Sequence, residues 1–321
     1  MPGEFDFIHW VRSQQAPSDF VPVPAGDDLA VVRWDAADLL LAGVDQVLDG
    51  VHFDSAIHPP RLIGRKVMNR NLSDCAAMAC LPAVAVATVA LPKTATLEYA
   101  QELYLGMRDA ADPFDCRIVG GDTASWANPL VVTVTILGRS AGVAPVTRAG
   151  AQVGDGIFVT GALGGSLHLP TSVSAHLPGV ASSADLRTGR HMLFTPRVHE
   201  ARQLARQYRI TAMIDLSDGL SRDLGHICRM SNVGALIDAA AVPIHEHARL
   251  WSLAGRDPLA SALHDGEDYE LLFTSPDPIA PDLATRIGQV TPEDGLFLRT
   301  ATGIAPLRPM AWEHKLGERP A

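Results

Sequence analysis

Short, β-branched apolar runs alternate with longer stretches of helical periodicity along the whole chain. In the first part, apolar runs at 29–34 and 39–44 precede a helical stretch at 60–79 and a further apolar run at 83–91. Such alternation is typical of proteins in which helices pack on sheets. The sequence therefore predicts an α/β fold with mixed layers.

The rest of the chain continues this pattern. Residues 130–137 predict a strand in which Thr133 and Thr135 share one face, which indicates a sheet that is wetted or paired on one side. A loop of Ser, Pro, Ala and Gly is expected at 169–190. The other predicted helices are 96–111, 198–208 and 219–230, and the other predicted strands are 117–119, 157–160, 211–215, 235–237 and 269–274.

The chain is long enough for two domains. Its 321 residues are about twice the usual domain size. Hydrophobic residues make up 47% and charged residues 19%, enough apolar material for two cores and too little charge for a disordered chain. We expect the boundary between Ala141 and Val153, which gives domains 1–145 and 146–321.

Charge and hydropathy exclude two classes of partner. The net charge of −10 argues against a nucleic-acid surface, which needs clustered Lys and Arg. The chain has three lysines: Lys66, Lys93 and Lys315. No apolar run approaches the roughly 20 residues of a membrane span, and the first residues do not resemble a signal peptide, so we expect a cytoplasmic protein without a membrane partner.

The four cysteines form no C-x-x-C pair and lie in apolar surroundings, so they are expected to be buried thiols. They are Cys75, Cys80, Cys116 and Cys228.

Seven aspartates stand at the ends of apolar runs or in turns of small residues. They are Asp27, Asp28, Asp45, Asp74, Asp122, Asp215 and Asp218. One such aspartate is usually a helix cap or a turn former. Seven carboxylates beside apolar neighbours are costly unless a cation compensates them, and oxygen ligands without a His/Cys cluster select Mg²⁺. The pattern therefore predicts magnesium, and with it phosphate chemistry.

The standard motifs of phosphate and hydrolytic chemistry are missing from the sequence. It has no G-x-x-x-x-G-K-[ST] loop and no G-x-G-x-x-G that opens a helix after a strand. H-E-x-x-H and G-x-S-x-G are also absent. Any phosphate chemistry must therefore be organised by metal ions and backbone amides.

Strings around these aspartates resemble the thiamine-monophosphate kinase family of the aminoimidazole ribonucleotide synthetase-like superfamily. They follow one another in order over nearly the whole chain, and the principal ones are G-D-D at 26–28, N-L-S-D at 71–74, G-G-D-T at 120–123, T-R-A-G at 147–150, I-D-L-S-D-G-L at 214–220 and G-E-D-Y-E-L at 266–271. Two other members of the superfamily fit less well. Selenophosphate synthetase has a reactive residue near its N-terminus, whereas no cysteine precedes Cys75, and the hydrogenase maturation factor uses a C-terminal cysteine, whereas this chain ends in alanine.

The resemblance implies a two-domain fold and a homodimer in which the N-terminal sheets pair. It also implies Mg²⁺-dependent transfer of the γ-phosphoryl group of ATP to thiamine monophosphate, giving thiamine diphosphate and ADP. The acceptor is a phosphate whose second pKa is about 6, so it is largely ionised at neutral pH and needs no side chain as general base. This agrees with the absence of a catalytic triad.

Site residues follow from the resemblance position by position. The implied magnesium ligands are Asp28, Asp45, Asp74, Asp122, Asp215 and Asp218. The implied ATP contacts are Gly121, Asp122, Arg148 and Ser217. The implied contacts of thiamine monophosphate are His52, Glu267 and Trp312. The alternative for Trp312 is a tail residue that packs on the core.

Two places in the sequence depart from the family pattern. Gly43 and Val44 stand where hydroxyl residues often precede the aspartate that matches Asp45, and His264-Asp265 stands where a Gly-Gly pair is common. His226 is interpreted as structural. Two alternatives stay open: another ATP-dependent kinase or synthetase of the superfamily, and a non-catalytic paralogue, which Gly43 and Val44 would favour and the intact aspartates disfavour.

Overall fold

The computed structural model describes residues 22–23, 27, 29–33, 38–166, 190–252 and 255–310. Asp28, Trp312 and most of the predicted loop at 169–190 lie outside the described residues. Arg190, at the end of that loop, begins a helix.

The first sheet has five strands in the order β1-β2-β5-β3-β4. Its strands are β1 (Ala30–Arg33), β2 (Leu39–Leu48), β3 (Leu81–Pro92), β4 (Arg117–Trp126) and β5 (Val131–Arg139). β3 and β4 are parallel, and the other neighbours are antiparallel.

Two helices, α1 (Pro60–Ala77) and α2 (Leu97–Ala111), accompany this sheet and cross each other closely. A Cβ at Gly64 would lie 2.0 Å from the carbonyl oxygen of Leu103, and one at Gly106 would lie 1.9 Å from that of Arg61. Both crossing positions therefore require glycine. α1 is buried over most of its length, including its polar residues Lys66 and Asn69, because it packs between the first sheet and the second domain.

The prediction of a one-sided first sheet is confirmed. Along β5, Val132, Val134 and Ile136 are fully buried, whereas the threonines between them are only partly buried. On neighbouring strands, Val44 is 62% exposed and Val86 is 41% exposed. One face of the sheet thus carries the core, and the other presents apolar side chains to solvent.

Two predicted strands are longer than the sequence indicated. The strand predicted at 117–119 runs to Trp126, and the one predicted at 39–44 runs to Leu48. The Gly-Gly-Asp-Thr string has the local preferences of a turn. It forms a strand because it pairs with β3, and such pairing overrides weak β-propensity. Asp45 and Asp122 therefore lie inside strands, and their expected position at strand ends or in turns is wrong.

The second sheet has seven strands in the order β12-β11-β8-β10-β6-β9-β7. They are β6 (Gly156–Val159), β7 (Ala212–Asp215), β8 (Gly234–Asp238), β9 (Leu271–Ser275), β10 (Thr285–Thr291), β11 (Leu296–Thr300) and β12 (Gly303–Pro306). The helices are α3 (Arg190–Leu193), α4 (Val198–Gln207), α5 (Leu220–Ser231), α6 (Glu246–Trp251) and α7 (Pro258–His264). The sequence did not predict β10, β11, β12, α3, α6 or α7.

A buried arginine joins the two domains. Arg202 on α4 donates to the carbonyl oxygens of Ala79 at 2.9 Å, Ser140 at 2.5 Å and Ala141 at 2.8 Å. The predicted boundary at 145/146 falls between the two sheets.

All four cysteines are buried and free, as predicted. Among the described residues, no helix combines the length and the apolar character that a membrane crossing needs.

Candidate functional site

Two loops of the second domain, which carry the 214–220 and 266–271 strings, are joined by backbone hydrogen bonds. The N–H of Glu267 donates to the carbonyl of Ser217 at 2.8 Å, and that of Tyr269 donates to the carbonyl of Leu216 at 2.9 Å. Glu267 has a φ of +52° and Tyr269 one of +51°, a region that non-glycine residues rarely adopt. Backbone strain of this kind concentrates at functional sites.

An acidic group, defined here as Asp215, Asp218 and Asp223, extends from the end of β7 through the first of these loops into α5. Asp215, the last residue of β7, is 2% exposed and accepts a hydrogen bond from the Ser73 hydroxyl on α1 at 2.5 Å. This contact brings the N-L-S-D string of the first domain, with the half-buried Asp74, to the acidic group.

Asp223 was missed by the sequence reasoning. Its Oδ2 accepts from the backbone N–H groups of Asp218 at 3.1 Å and Gly219 at 3.0 Å. Burial, then Asp218 and Asp215, raise its pKa well above the usual range. Ligand atoms of Asp218, Asp223 and His226 lie within 4.8 Å of one another and could hold a metal ion. The spacing D-x₄-D between Asp218 and Asp223 was the sequence signal that could have identified Asp223. His226, which was interpreted as structural, lies beside these two carboxylates.

A second group of charges lies where α1 meets the other motif loop. This charge-paired group comprises two carboxylates and three basic side chains: Asp45, Glu267, Lys66, Arg70 and His191. Lys66 Nζ is 2.9 Å from Glu267 Oε2, and His191 Nδ1 is 3.0 Å from the same oxygen. Arg70 Nη1 is 3.2 Å from Glu267 Oε1.

The basic side chains keep Glu267 ionised. Burial alone would raise its pKa, but Lys66, His191 and Arg70 lower the pKa well below the usual range. Burial also lowers the pKa of Lys66 to about 8, with Glu267 acting in the opposite direction. The sequence offered one indication of a role for Lys66: it is one of only three lysines and lies in a stretch that is predicted to be helical. In the structure that helix is buried.

The two predicted substrate contacts in the described residues lie at the same place. Lys66 Nζ donates to the carbonyl oxygen of His52 at 2.7 Å while it binds Glu267. His52 Nδ1 accepts from the N–H of Leu48 at 3.1 Å. Burial and then Arg70 lower the pKa of His52 to about 4, so its ring is neutral at pH 7.

Asp45 is bound by an arginine. Nε and Nη2 of Arg70 donate to the two oxygens of Asp45, with 3.3 Å between Nη2 and Oδ1. The metal role expected for Asp45 stays a prediction.

Arg148 lies beside the acidic strings. Its backbone N–H donates to Asp27 Oδ2 at 3.0 Å, and its Nε is 3.8 Å from Asp27 Oδ1. Its charge also acts against the raised pKa of Asp223. The structure thus brings Arg148 and Ser217 close to the acidic group.

Gly121 and Asp122 lie apart from the charge-paired group. Asp45, Val134, Ala87 and Gly121 are aligned across β2, β5, β3 and β4, so three inter-strand spacings, roughly 14 Å at about 4.8 Å each, separate Asp45 from Gly121. A Cβ at Gly121 would lie 1.9 Å from the carbonyl oxygen of Ala87, so the strands could not approach as they do.

Gly121 and Asp122 line a cavity of about 460 Å³ between α2 and the β3–β4 edge. Its apolar wall includes Leu103, Tyr104 and Met107, and Tyr104 is 44% exposed. Tyr104 was missed because it is one of several apolar positions on an amphipathic helix. An apolar, partly aromatic cavity beside a glycine-aspartate pair suits a planar ligand that carries charged groups.

The fold and site belong to a defined class. Residues 26–140 match the model of the AIR synthase related protein, N-terminal domain, and residues 152–300 match that of the C-terminal domain. The chain therefore belongs to the AIR synthase related protein family.

Within this family, it is similar over most of its length to thiamine-monophosphate kinases. The one from Rhodopirellula baltica is 38% identical, covering 93% of each chain, and the one from Aquifex aeolicus is 30% identical, covering 97% of this chain and 98% of its own. A solved structure of AaThiL complexed with AMPPCP and TMP has a TM-score of 0.84 and 29% identity, with 97% of each chain covered.

Proposed function

We propose that this protein is a thiamine-monophosphate kinase, which transfers the γ-phosphoryl group of ATP to the phosphate of thiamine monophosphate. The observation that carries the proposal is the similarity over nearly the full length to thiamine-monophosphate kinases, including a structure complexed with AMPPCP and TMP. The order of the aspartate strings within that length supports it, because those strings are the part of the sequence with the chemistry of phosphate transfer.

The chemistry of the donor set fits Mg²⁺. The acidic group consists of oxygen ligands. Burial and then repulsion from Asp218 and Asp215 raise the pKa of Asp223, and a bound cation would relieve both effects. We propose Asp74, Asp215 and Asp218 as metal ligands, with Asp223 beside them, and Asp122 as a ligand at the cavity. Bound Mg²⁺ would neutralise the phosphate oxygens and orient the transferred group.

The chain's own residues then bind and orient the two substrates. Arg148 and Ser217 contact the phosphates of ATP, Gly121 and Asp122 contact the nucleotide, and its base lies in the cavity lined by Tyr104. His52 and Glu267 bind thiamine monophosphate, with Glu267 kept negative by its basic neighbours. No residue removes a proton from the acceptor phosphate, because that phosphate is already ionised at neutral pH.

We also propose that the protein is a homodimer in which the open face of the first sheet is covered. The apolar side chains exposed on that face support it, since single-sided sheets in soluble proteins rarely leave such a face uncovered. Because the reaction consumes ATP, we place it in the cytoplasm. Sedimentation of the purified chain tests the dimer: a monomer at micromolar concentration would contradict it.

An ADP-release assay tests the activity. We expect ADP only when Mg²⁺ and thiamine monophosphate are both present, and almost none with unphosphorylated thiamine, whose hydroxyl would need a general base. A panel of other phosphorylated metabolites distinguishes this kinase from related ones. Faster turnover of another phosphate, or full activity in excess chelator, would contradict the proposal.

A further inference from the structure

Arg70 lies where the two domains meet, one helical turn after Lys66 on α1. Its guanidinium binds both oxygens of Asp45 in the first domain and Oε1 of Glu267 in the second. Its carbon lies 5.8 Å from the centre of the Tyr269 ring, and its side chain is 15% exposed. These contacts with Asp45, Glu267 and Tyr269 hold the Arg70 guanidinium in one position within the charge-paired group.

The contacts of Arg70 compete with metal binding at Asp45. A guanidinium that donates to both oxygens of a carboxylate is among the strongest ionic contacts in proteins, and it uses the same lone pairs that Mg²⁺ would use. A metal ion at Asp45 would also lie beside a fixed positive charge. The preceding residues, Gly43 and Val44, have no side-chain oxygen that could add a ligand.

Arg70 also retains hydrogen-bonding capacity. A guanidinium has five N–H groups, and the contacts to Asp45 and Glu267 use one on each of its three nitrogens. Within the described part of the chain, the N–H groups that these contacts do not use are one on each terminal nitrogen, and both can donate to phosphate oxygens. Glu267, the proposed contact of thiamine monophosphate, is at hydrogen-bond distance from the same guanidinium.

We propose that Arg70 takes the place of a metal ion at Asp45 and binds the acceptor phosphate. The positive charge beside Asp45 is then supplied by a side chain of the protein and not by a bound ion. The identity of the phosphate rests on the proposed function, whereas the occupancy of Asp45 does not depend on it.

Counting bound Mn²⁺ tests the occupancy of Asp45. The full-length chain is dialysed against Mn²⁺, and the ions bound per chain at saturation are measured from the spin signal of free Mn²⁺. We expect Asp45→Asn to bind as many ions as the wild type, Arg70→Gln to bind one more, and the double variant to return to the wild-type number. One ion fewer in Asp45→Asn, or an unchanged number in folded Arg70→Gln, would overturn the proposal.

Arg61→Gln is the matched control. Arg61 is on the same helix and also binds carboxylates, Glu102 and Asp109, but it is exposed and lies nine residues before Arg70, roughly 13 Å along the helix axis. Its removal takes one positive charge from α1, and the number of bound ions should not change. If Arg70→Gln fails to fold, Asp45→Asn in the wild-type background decides the question alone.

Binding of thiamine monophosphate in the presence of AMPPCP tests the phosphate contact by calorimetry. Arg70→Gln should raise the Kd for thiamine monophosphate about tenfold or more, with Arg70→Lys in between and the Kd for AMPPCP nearly unchanged. An unchanged Kd for thiamine monophosphate would overturn the contact. A wild-type protein that does not bind thiamine monophosphate would overturn the proposed function instead, because the Mn²⁺ counts need no substrate.

Discussion

The acidic group and the charge-paired group use the same kind of residue in opposite ways. In the charge-paired group, Glu267 is surrounded by basic side chains that lower its pKa, so its charge is compensated within the protein. In the acidic group, burial and neighbouring carboxylates raise the pKa of Asp223, so its negative charge is stable there only beside a cation and is otherwise removed by protonation. The number of carboxylates in a site therefore says little about metal binding until their neighbours are known.

The largest effect should come from removing a basic partner in the charge-paired group. Lys66→Met should lower the free energy of unfolding by about 3 kcal/mol, because it breaks a buried ion pair. Urea denaturation measures the change. Lys93→Met, at an exposed lysine, is the control and should stay within about 0.5 kcal/mol of the wild type. Equal stability of the two variants would show that Lys66 contributes no net stabilisation.

Neutralising the acidic group should have the opposite effect on stability. Asp218→Asn should reduce turnover by about 10²-fold or more, since an amide is a weaker ligand for a hard cation. Without Mg²⁺, its melting temperature should equal or exceed that of the wild type, because repulsion is relieved. The exposed Asp282→Asn should change neither quantity. A lower melting temperature without metal would show that Asp218 is a structural carboxylate.

Asp268, the neighbour of Glu267, has a single arginine beside it, which does not compensate its burial. Arg190 lies 3.3 Å away, yet burial raises the pKa of Asp268 to about 7. A raised carboxyl pKa means that the folded state holds the proton more tightly, so the stability from this group is present at low pH and is lost as pH rises through about 7. Asp268→Asn cannot ionise and escapes that loss.

The stability of Asp268→Asn relative to the wild type should therefore rise by about 2 kcal/mol between pH 5 and pH 8. Denaturation midpoints of both proteins at several pH values measure the difference, and contributions of all other groups cancel. A relative stability that falls with pH would mean that Arg190 outweighs burial.

The smallest effect is expected at the cavity outside both groups. Tyr104→Ala should raise the KM for ATP about fivefold and leave that for thiamine monophosphate nearly unchanged, because it would remove the proposed aromatic contact with the base, worth about 1 kcal/mol. Tyr104→Phe should recover most of the loss. Equal changes in both constants would place Tyr104 outside the nucleotide pocket.

The sequence predicted the α/β class with mixed layers, the one-sided first sheet and the helices with clear periodicity. It also assembled Asp215, Ser217 and Asp218 in one loop, because they are adjacent in one string. It could not predict the bounds of β4, since Gly-Gly-Asp-Thr has turn-like local preferences and only pairing with β3 makes it a strand.

The basic side chains of the charge-paired group were beyond sequence reasoning for a related reason. Lys66 and Arg70 reach Glu267 across 201 and 197 residues, and no local pattern reports a contact of that separation. Their own helix predicts only that they share a face, because they are four residues apart. What that face meets is decided by the packing of the second domain.

The position of α1 has a consequence during protein synthesis. Lys66 and Ser73 leave the ribosome 201 and 142 residues before Glu267 and Asp215, their partners. At about 5–20 residues per second, the wait for Glu267 lasts roughly 10 to 40 s. Throughout that interval the nascent first domain has a helix face without its cover, and a chaperone that binds this face would protect the chain until the second domain arrives.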